Sequence, residues 1–237
     1  MTVTVPAPGS VREFLAAAPE VFYGWVTRRL LNLVLFCVAA IVVGAGAYGA
    51  VMGSWRDPLQ AVYTGIKLPL VMLLTTLGNG MLNGLLAPLL GLNLTFRQTF
   101  AVVLISFAVT SIVLGALSPV ALFIVYNTPP LAAGTTLKSP EYAVLQLTLA
   151  VFVALAGVIG TVRLLPLLRQ WSGSSRAGLN VLLAWLAVNL FLGSQISWVL
   201  RPFIWEANRP VAFIGADCFQ GSFFETIFKA VCKITSA

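Results

Sequence analysis

The sequence predicts an all-α fold, a polytopic bundle of about five transmembrane helices with amphipathic interfacial helices at both ends. Hydrophobic residues make up 59% of the 237 residues and charged residues only 9%, whereas about a quarter of a soluble domain is charged. Several stretches reach the roughly 20 mostly apolar residues that a helix needs to cross a bilayer. We expect an N-terminal tail and interfacial helix over 1–29, the transmembrane bundle over 30–201, and a C-terminal loop and amphipathic helix over 202–237.

Composition excludes several classes of function. The net charge is +7, but Lys and Arg lie at the ends of the apolar stretches, where they set membrane topology, so nucleic acid is not an expected partner. The chain has no histidine, the commonest general base and metal ligand, and its three cysteines give no zinc-binding spacing. None of the seven acidic residues lies near the middle of a predicted span. We therefore expect no catalytic residues, no cofactor and no metal, and no enzymatic activity.

The N-terminal region carries the signals of a short helix. Ser10 and Glu13 form a Ser-x-x-Glu capping box, and Pro19 is expected to break the helix that follows. Aromatic side chains and the pair Arg28–Arg29 are typical of a helix lying on the membrane surface. A plain lead-in to the first span is supported equally well.

The first two spans follow. The first is predicted over 30–53, and its second half, 44–50, is nearly all small residues, which favours close packing against another helix. A turn at 54–58 and a short connecting helix at 59–67 lead to the second span, predicted over 66–92. Lys67 lies near the predicted start of that span, so we expect its ammonium group to reach the lipid headgroups.

The second span is the most polar of the set. Thr76, Asn79 and Asn83 fall on one side at helical spacing, beside Gly80 and Gly84. One interpretation is a helix–helix packing interface with hydrogen bonds across it, as neutral amides commonly provide in membranes. The other is the lining of a polar pathway. The absence of a charged residue beside the amides favours the packing interpretation.

The third apolar segment, 99–127, begins with a capping box at Thr95 and Gln98. It is long for one crossing and contains Gly115 and Pro119, so we expect a kink or a tilt. A segment that turned back at these two residues would give six spans in place of five.

The last two spans are predicted over 141–165 and 178–200, after a long loop at 127–140. The later half of the fifth span is polar and contains Asn189, Gln195 and Ser197. In the tail, a third capping box, at Ser222 and Glu225, predicts a short amphipathic helix.

Charge and cysteine placement bear on orientation. With five spans, the two sides carry seven Lys or Arg residues each, and the Arg28–Arg29 pair beside the first span favours a cytoplasmic N-terminus in the plasma (inner) membrane. The C-terminus would then lie outside, where Cys218 and Cys232 meet an oxidising compartment. A disulfide between them and two unrelated cysteines are equally supported, and Cys37 is expected to be an apolar filler.

Four segments together suggest a family. They are Ile66–Pro69 before a Leu-rich second span, Leu94–Gln98, Leu117–Pro119 and Gly193–Phe203. In these the chain resembles the Yip family of small membrane proteins, of a distant bacterial type. The resemblance implies five spans, a cytosolic N-terminus, a C-terminal end outside or in the lumen, and a non-enzymatic role. The acidic motif of the eukaryotic members does not occur in this sequence, so roles in vesicle trafficking are not implied.

Two functions fit these features. The first is a scaffold or accessory subunit of a membrane complex, in contact with the lipid bilayer and with other membrane proteins or copies of itself. Small residues spaced four apart and the flanking amphipathic segments favour it. The alternative is an oligomeric channel or transporter for ions or small polar solutes. Its pathway would be lined by Thr76, Asn79, Asn83, Asn189, Gln195 and Ser197.

Overall fold

The computed structural model describes residues 8–89, 95–129, 140–172, 175–201, 203, 211–215 and 218–225. Within these residues the chain forms helices and no strand. The helices are α1 (Val11–Ala16), α2 (Pro19–Arg28), α3 (Leu30–Ser54), α4 (Pro58–Leu89), α5 (Phe96–Asn127), α6 (Pro140–Val162), α7 (Leu165–Ser172) and α8 (Ser175–Val199). Five of them, α3, α4, α5, α6 and α8, are long and apolar enough to cross a membrane. The chain is an all-α integral membrane protein of five spans, as the sequence predicts.

Three spans form the centre of the bundle. Helix α3 packs against both α4 and α5, and α4 also packs against α5. Glycines allow this approach: a Cβ atom added to Gly49 would lie 2.5 Å from the carbonyl oxygen of Thr64 in α4, and one added to Gly44 would meet the backbone of Ser111 in α5. The small-residue half of α3 therefore packs against helices, as predicted.

The remaining two spans lie at the periphery. Helix α6 packs against α5, and α8 packs against α4 and the short helix α7. Within the most apolar 18 residues of each span, 61% are buried in α5 and 44% in α4, against 28% in α6, 22% in α3 and 17% in α8. Helices α5 and α4 are thus the most buried spans and α8 is the least buried.

The N-terminal arm, helices α1 and α2, packs onto one end of the bundle. Ser10 accepts a hydrogen bond from the backbone N–H of Glu13 at 3.2 Å, and Pro19 occupies the first turn of α2, so the predicted cap and helix break are confirmed. The rings of Phe14 and Phe22 are buried with centroids 5.5 Å apart. These aromatic side chains face the bundle, whereas Val11 and Tyr23 are 47% and 46% exposed. The position of the arm at the membrane surface stays a prediction.

Arg163, just after α6, fastens this arm. Its Nη2 donates to the carbonyl oxygens of Leu15 and Ala17, at 2.6 and 2.9 Å. This contact places the end of α6 beside the arm. We call this end of the bundle, with the starts of α3, α5 and α8, the arm end, and the opposite end the cap end.

Helix α4 corrects one prediction. It runs without interruption from Pro58 to Leu89, so the connecting helix predicted at 59–67 is part of the span. Pro69 lies within this helix and against α3, 3.7 Å from the Cβ position of Gly46. Packing holds the helix continuous through the proline. Lys67 is consequently about 14 Å from the start of α4 and is fully buried within the protein.

Helix α5 decides between five and six spans. It continues through Gly115 and Pro119 to Asn127, so the segment does not turn back and the six-span alternative is wrong. Its predicted capping box is confirmed, with the backbone N–H of Thr95 donating to Gln98 at 2.9 Å. At about 1.5 Å per residue the helix is about 48 Å long, longer than the hydrocarbon core of about 30 Å.

Candidate functional site

Buried polar side chains occur in two groups along α4, and each is at most 1% exposed. At about 100° per residue, Gln60, Thr64 and Lys67 lie within about 60° of one another around the helix. Thr75, Asn79 and Asn83 follow a second line that begins about 80° further round, after the apolar residues 68–74. Together they extend about 35 Å along the axis, roughly the thickness of the hydrocarbon core. We call these six residues the α4 polar row.

At the cap end, the row faces residues that follow α8. The carbonyl oxygen of Phe203 accepts hydrogen bonds from Gln60 Nε2 at 2.6 Å and from Thr64 Oγ1 at 3.1 Å. The Lys67 ammonium lies 5.8 Å from the ring centroid of Phe203 and 5.3 Å from that of Phe213, within the range of cation–π attraction. These residues cover the cap end of the row.

Further along, the row faces α8. The Cβ position of Gly193 lies 3.7 Å from the side chain of Thr75, and α8 ends where α4 begins, so the two helices are antiparallel. Extending this antiparallel register from the Thr75–Gly193 contact by four residues along each helix places Asn79 level with Asn189. One more such step places Asn83 level with Trp185. Polar residues on the two helices therefore occupy matching levels, about 6 Å apart.

These residues are incompletely hydrogen-bonded. Asn83 Nδ2 donates to Asn79 Oδ1 at 2.8 Å. Within the described part of the chain, three residues of α4 and two of α8 each have a buried polar atom with no hydrogen-bond partner: Thr75 Oγ1, Asn79 Nδ2, Asn83 Oδ1, Trp185 Nε1 and Asn189 Oδ1. We call these five residues the α4–α8 seam. An unsatisfied polar group in hydrocarbon costs several kcal/mol, so the seam is unlike a completed packing interface.

Of the six residues that the sequence predicted for a polar site, Asn79 and Asn83 are hydrogen-bonded to each other. Asn189, on α8, has a buried Oδ1 without a hydrogen-bond partner. Thr76 is buried but donates to its own helix at Met72, at 2.7 Å. Gln195 lies toward the cap end and accepts from the backbone N–H of Phe223 at 3.0 Å.

Ser197 is half-buried near the end of α8. Sequence reasoning missed Thr75 and Trp185. The sequence pattern that indicates them is their spacing: Thr75 lies four residues before Asn79, and Trp185 four residues before Asn189. Residues four apart share one face of a helix.

The segment after α8 is folded against the end of that helix. Arg201 lies over the Trp198 ring, 3.9 Å from its centroid, and both side chains donate to the carbonyl oxygen of Gln220, at 3.3 and 3.4 Å. Ser222 Oγ accepts from the N–H of Glu225 at 3.0 Å, as expected at the start of the predicted C-terminal helix. Most of that helix lies outside the described residues.

The cysteines leave one prediction open. Cys37 is fully buried in the core, as expected of an apolar filler. Cys218 is buried with a free thiol, and Cys232 lies outside the described residues. A bridge between Cys218 and Cys232 therefore stays a prediction.

No group of three or more His, Cys, Asp or Glu side chains that could hold a metal ion occurs among the described residues. Comparison of the chain with protein-family models, curated proteins and solved structures finds no match in any of the three. The resemblance to the Yip family stays a prediction. Fold and site together define a five-span integral membrane protein whose second span carries buried polar side chains.

Proposed function

We propose that the chain is a non-enzymatic membrane protein that conducts or takes up small polar solutes along the α4 polar row. The observation that carries the proposal is the set of six polar side chains, each buried, in two groups that span about 35 Å of α4 on either side of the apolar residues 68–74. Polar groups at such depth are expensive and mark solute pathways in membrane proteins.

The helices around the row differ in how firmly they are held. Helix α4 is packed between α3 and α5, whereas α8 contacts α4 and α7 and has only 17% of its most apolar 18 residues buried. In our proposal α4 is the fixed wall and α8 the moving wall of the pathway. A shift of α8 away from α4 exposes the amides and hydroxyl of the seam, and such neutral groups can replace the water around a solute.

The cap end of the proposed pathway is closed in the structure. Phe203 accepts hydrogen bonds from Gln60 and Thr64, and the rings of Phe203 and Phe213 lie against Lys67. Residues that follow α8 therefore cover this end of the row, and in our proposal they move with that helix. Displacement of α8 would open the seam and this end together.

Solute flux through liposomes tests this function. Purified protein is reconstituted, and vesicle swelling in a glycerol gradient is followed by light scattering. We expect faster swelling than in empty vesicles and at least a fivefold loss of the added rate in the double variant Asn79→Leu/Asn83→Leu. Thr76→Val is the matched control, because Thr76 is buried on the same helix but bonded to its own backbone. Equal swelling with and without protein would refute the proposal.

The second candidate function is a scaffold or accessory subunit, acting on other membrane proteins or on copies of itself. The peripheral position of α6 and α8 favours it, since Leu147 and Leu190 are 66% and 65% exposed and available to neighbouring helices. Native mass spectrometry after mild detergent extraction separates the candidates. Association predicts a homo-oligomer or a stable complex with other chains, and a single chain with bound lipid would contradict it.

We also propose a plasma-membrane location with a cytoplasmic N-terminus. Arg28, Arg29, Arg97 and Arg163 all lie at the arm end. At the cap end Lys67 is buried inside the bundle and does not count as a loop charge, which breaks the tie in favour of the arm end. In a cysteine-free background, an impermeant thiol reagent should label Asp57→Cys in intact cells and Gly9→Cys only after lysis. The reverse pattern would invert the orientation.

A further inference from the structure

We propose that the α4–α8 seam is a binding site for a small uncharged solute that carries both hydrogen-bond donors and acceptors. The inference rests on the proposed function and names the chemical class that its central site selects. It is drawn from the five buried polar atoms without a partner that α4 and α8 bring to matching levels.

The mixture of open donors and acceptors sets the first requirement. Asn79 Nδ2 and Trp185 Nε1 offer hydrogens, Asn83 Oδ1 and Asn189 Oδ1 offer lone pairs, and the Thr75 hydroxyl can do both. A simple anion would leave the amide oxygens without donors, and a simple cation would leave the N–H groups without acceptors. Each buried group left unpaired costs about 1–3 kcal/mol. A ligand with both kinds of group satisfies both sets.

Charge sets the second requirement. The seam residues are all neutral, and the α5 side chains that meet α4 at this level are the rings of Phe96 and Phe100, against Gly84 and Gly80. Lys67 is eight residues from Thr75, about 12 Å along the helix, and lies beneath the rings of the cap end. Burying an ion without an opposite charge is strongly unfavourable, so the seam selects uncharged molecules.

The spacing of the seam residues along the helix axis sets the size of the ligand. Thr75, Asn79 and Asn83 follow one another at steps of four residues, about 6 Å each. A solute whose polar groups are a few bonds apart can join two seam residues at the same height on α4 and α8, or two seam residues one step of about 6 Å apart. Short amides and short polyols fit this description.

Ligand-observed NMR on the full chain in lipid nanodiscs tests the site. Acetamide is the main probe, and acetate and ethylammonium are its charged counterparts of similar size. We expect acetamide to bind and the charged probes not to bind. Its dissociation constant should rise at least fivefold in Asn83→Leu and in Trp185→Phe, which removes one N–H while keeping a ring. Thr76→Val should bind as the unmodified chain does.

Each outcome decides the proposal. Acetate binding equal to that of acetamide would overturn the preference for uncharged ligands, and unchanged acetamide binding in both seam variants would place the site elsewhere. No acetamide binding would leave structural water as the occupant and refute a solute site. Binding without glycerol flux would refute the proposed transport but keep the site. Flux that the seam variants leave intact would refute the site but keep the transport.

Discussion

Two glycines of α6 give a direct test of how closely this helix approaches α5. A Cβ atom added to Gly157 has nothing within 4 Å, whereas one added to Gly160 would lie 2.6 Å from the carbonyl oxygen of Ser106 and would also meet the Thr110 side chain. Ordinary carbon contacts begin near 3.4 Å. Alanine at 160 therefore requires α5 and α6 to separate by about 0.8 Å, while alanine at 157 requires no movement.

The two substitutions should change the free energy of unfolding in opposite directions. Replacing a helical glycine by alanine gains roughly 0.5–1 kcal/mol of stability, which Gly157→Ala should show. Overpacking costs about 1–3 kcal/mol, so Gly160→Ala should be less stable than the unmodified chain by about 1–2 kcal/mol. Thermal unfolding of the purified protein in detergent measures both, with about 2–4 °C expected per kcal/mol. If Gly160→Ala were as stable as Gly157→Ala, the close approach of α5 and α6 would be wrong.

Three further predictions follow from particular contacts. The double variant Asn79→Leu/Asn83→Leu removes two unpaired polar atoms along with both partners of one hydrogen bond, so thermal unfolding should show it to be more stable by about 1–2 kcal/mol; a clear loss would indicate a finished packing interface. Arg163→Met removes the hydrogen bonds to the carbonyl oxygens of the N-terminal arm. Limited proteolysis should then cut near Ala18 several times faster. An unchanged rate would show that Arg163 does not hold the arm in place. Lys67→Met removes the attraction to two rings, about 2 kcal/mol for desolvated pairs, so hydrogen exchange at 211–215 should quicken; exchange equal to that of the unmodified chain would contradict it.

The spans and several caps could be predicted from the sequence because each depends on residues close together in the chain. Apolar length identifies a span, and a polar side chain three residues from its partner identifies a helix start, as at Thr95 and Ser10. Continuity through Pro69 could not be predicted, because it depends on packing against α3. The apolar run around Pro119 is compatible with one span or with two, and the continuous helix α5 shows that it forms one.

The polar site was predicted in part, and the error has a geometric cause. Successive helical residues differ by about 100° in direction, so both Thr75 and Thr76 share a plausible face with Asn79. The contact of Thr75 with Gly193 decides between them, and it joins helices more than a hundred residues apart. The sequence predicts a separate connecting helix at 59–67, so Gln60 and Thr64 were not expected on the same helix as Asn79. The continuous helix α4 places them there.

The central claim is that the α4 polar row borders a hydrated pathway, and reaction of single cysteines with iodoacetamide in native membranes tests it most directly. Only a water-accessible thiol ionises and reacts. In a chain whose three native cysteines are replaced, Thr75→Cys and Asn79→Cys should be alkylated, whereas Leu74→Cys and Leu77→Cys, at positions 45% and 52% exposed on the lipid side of the same helix, should not. Equal rates at all four positions, or no reaction at the two row positions, would contradict the account.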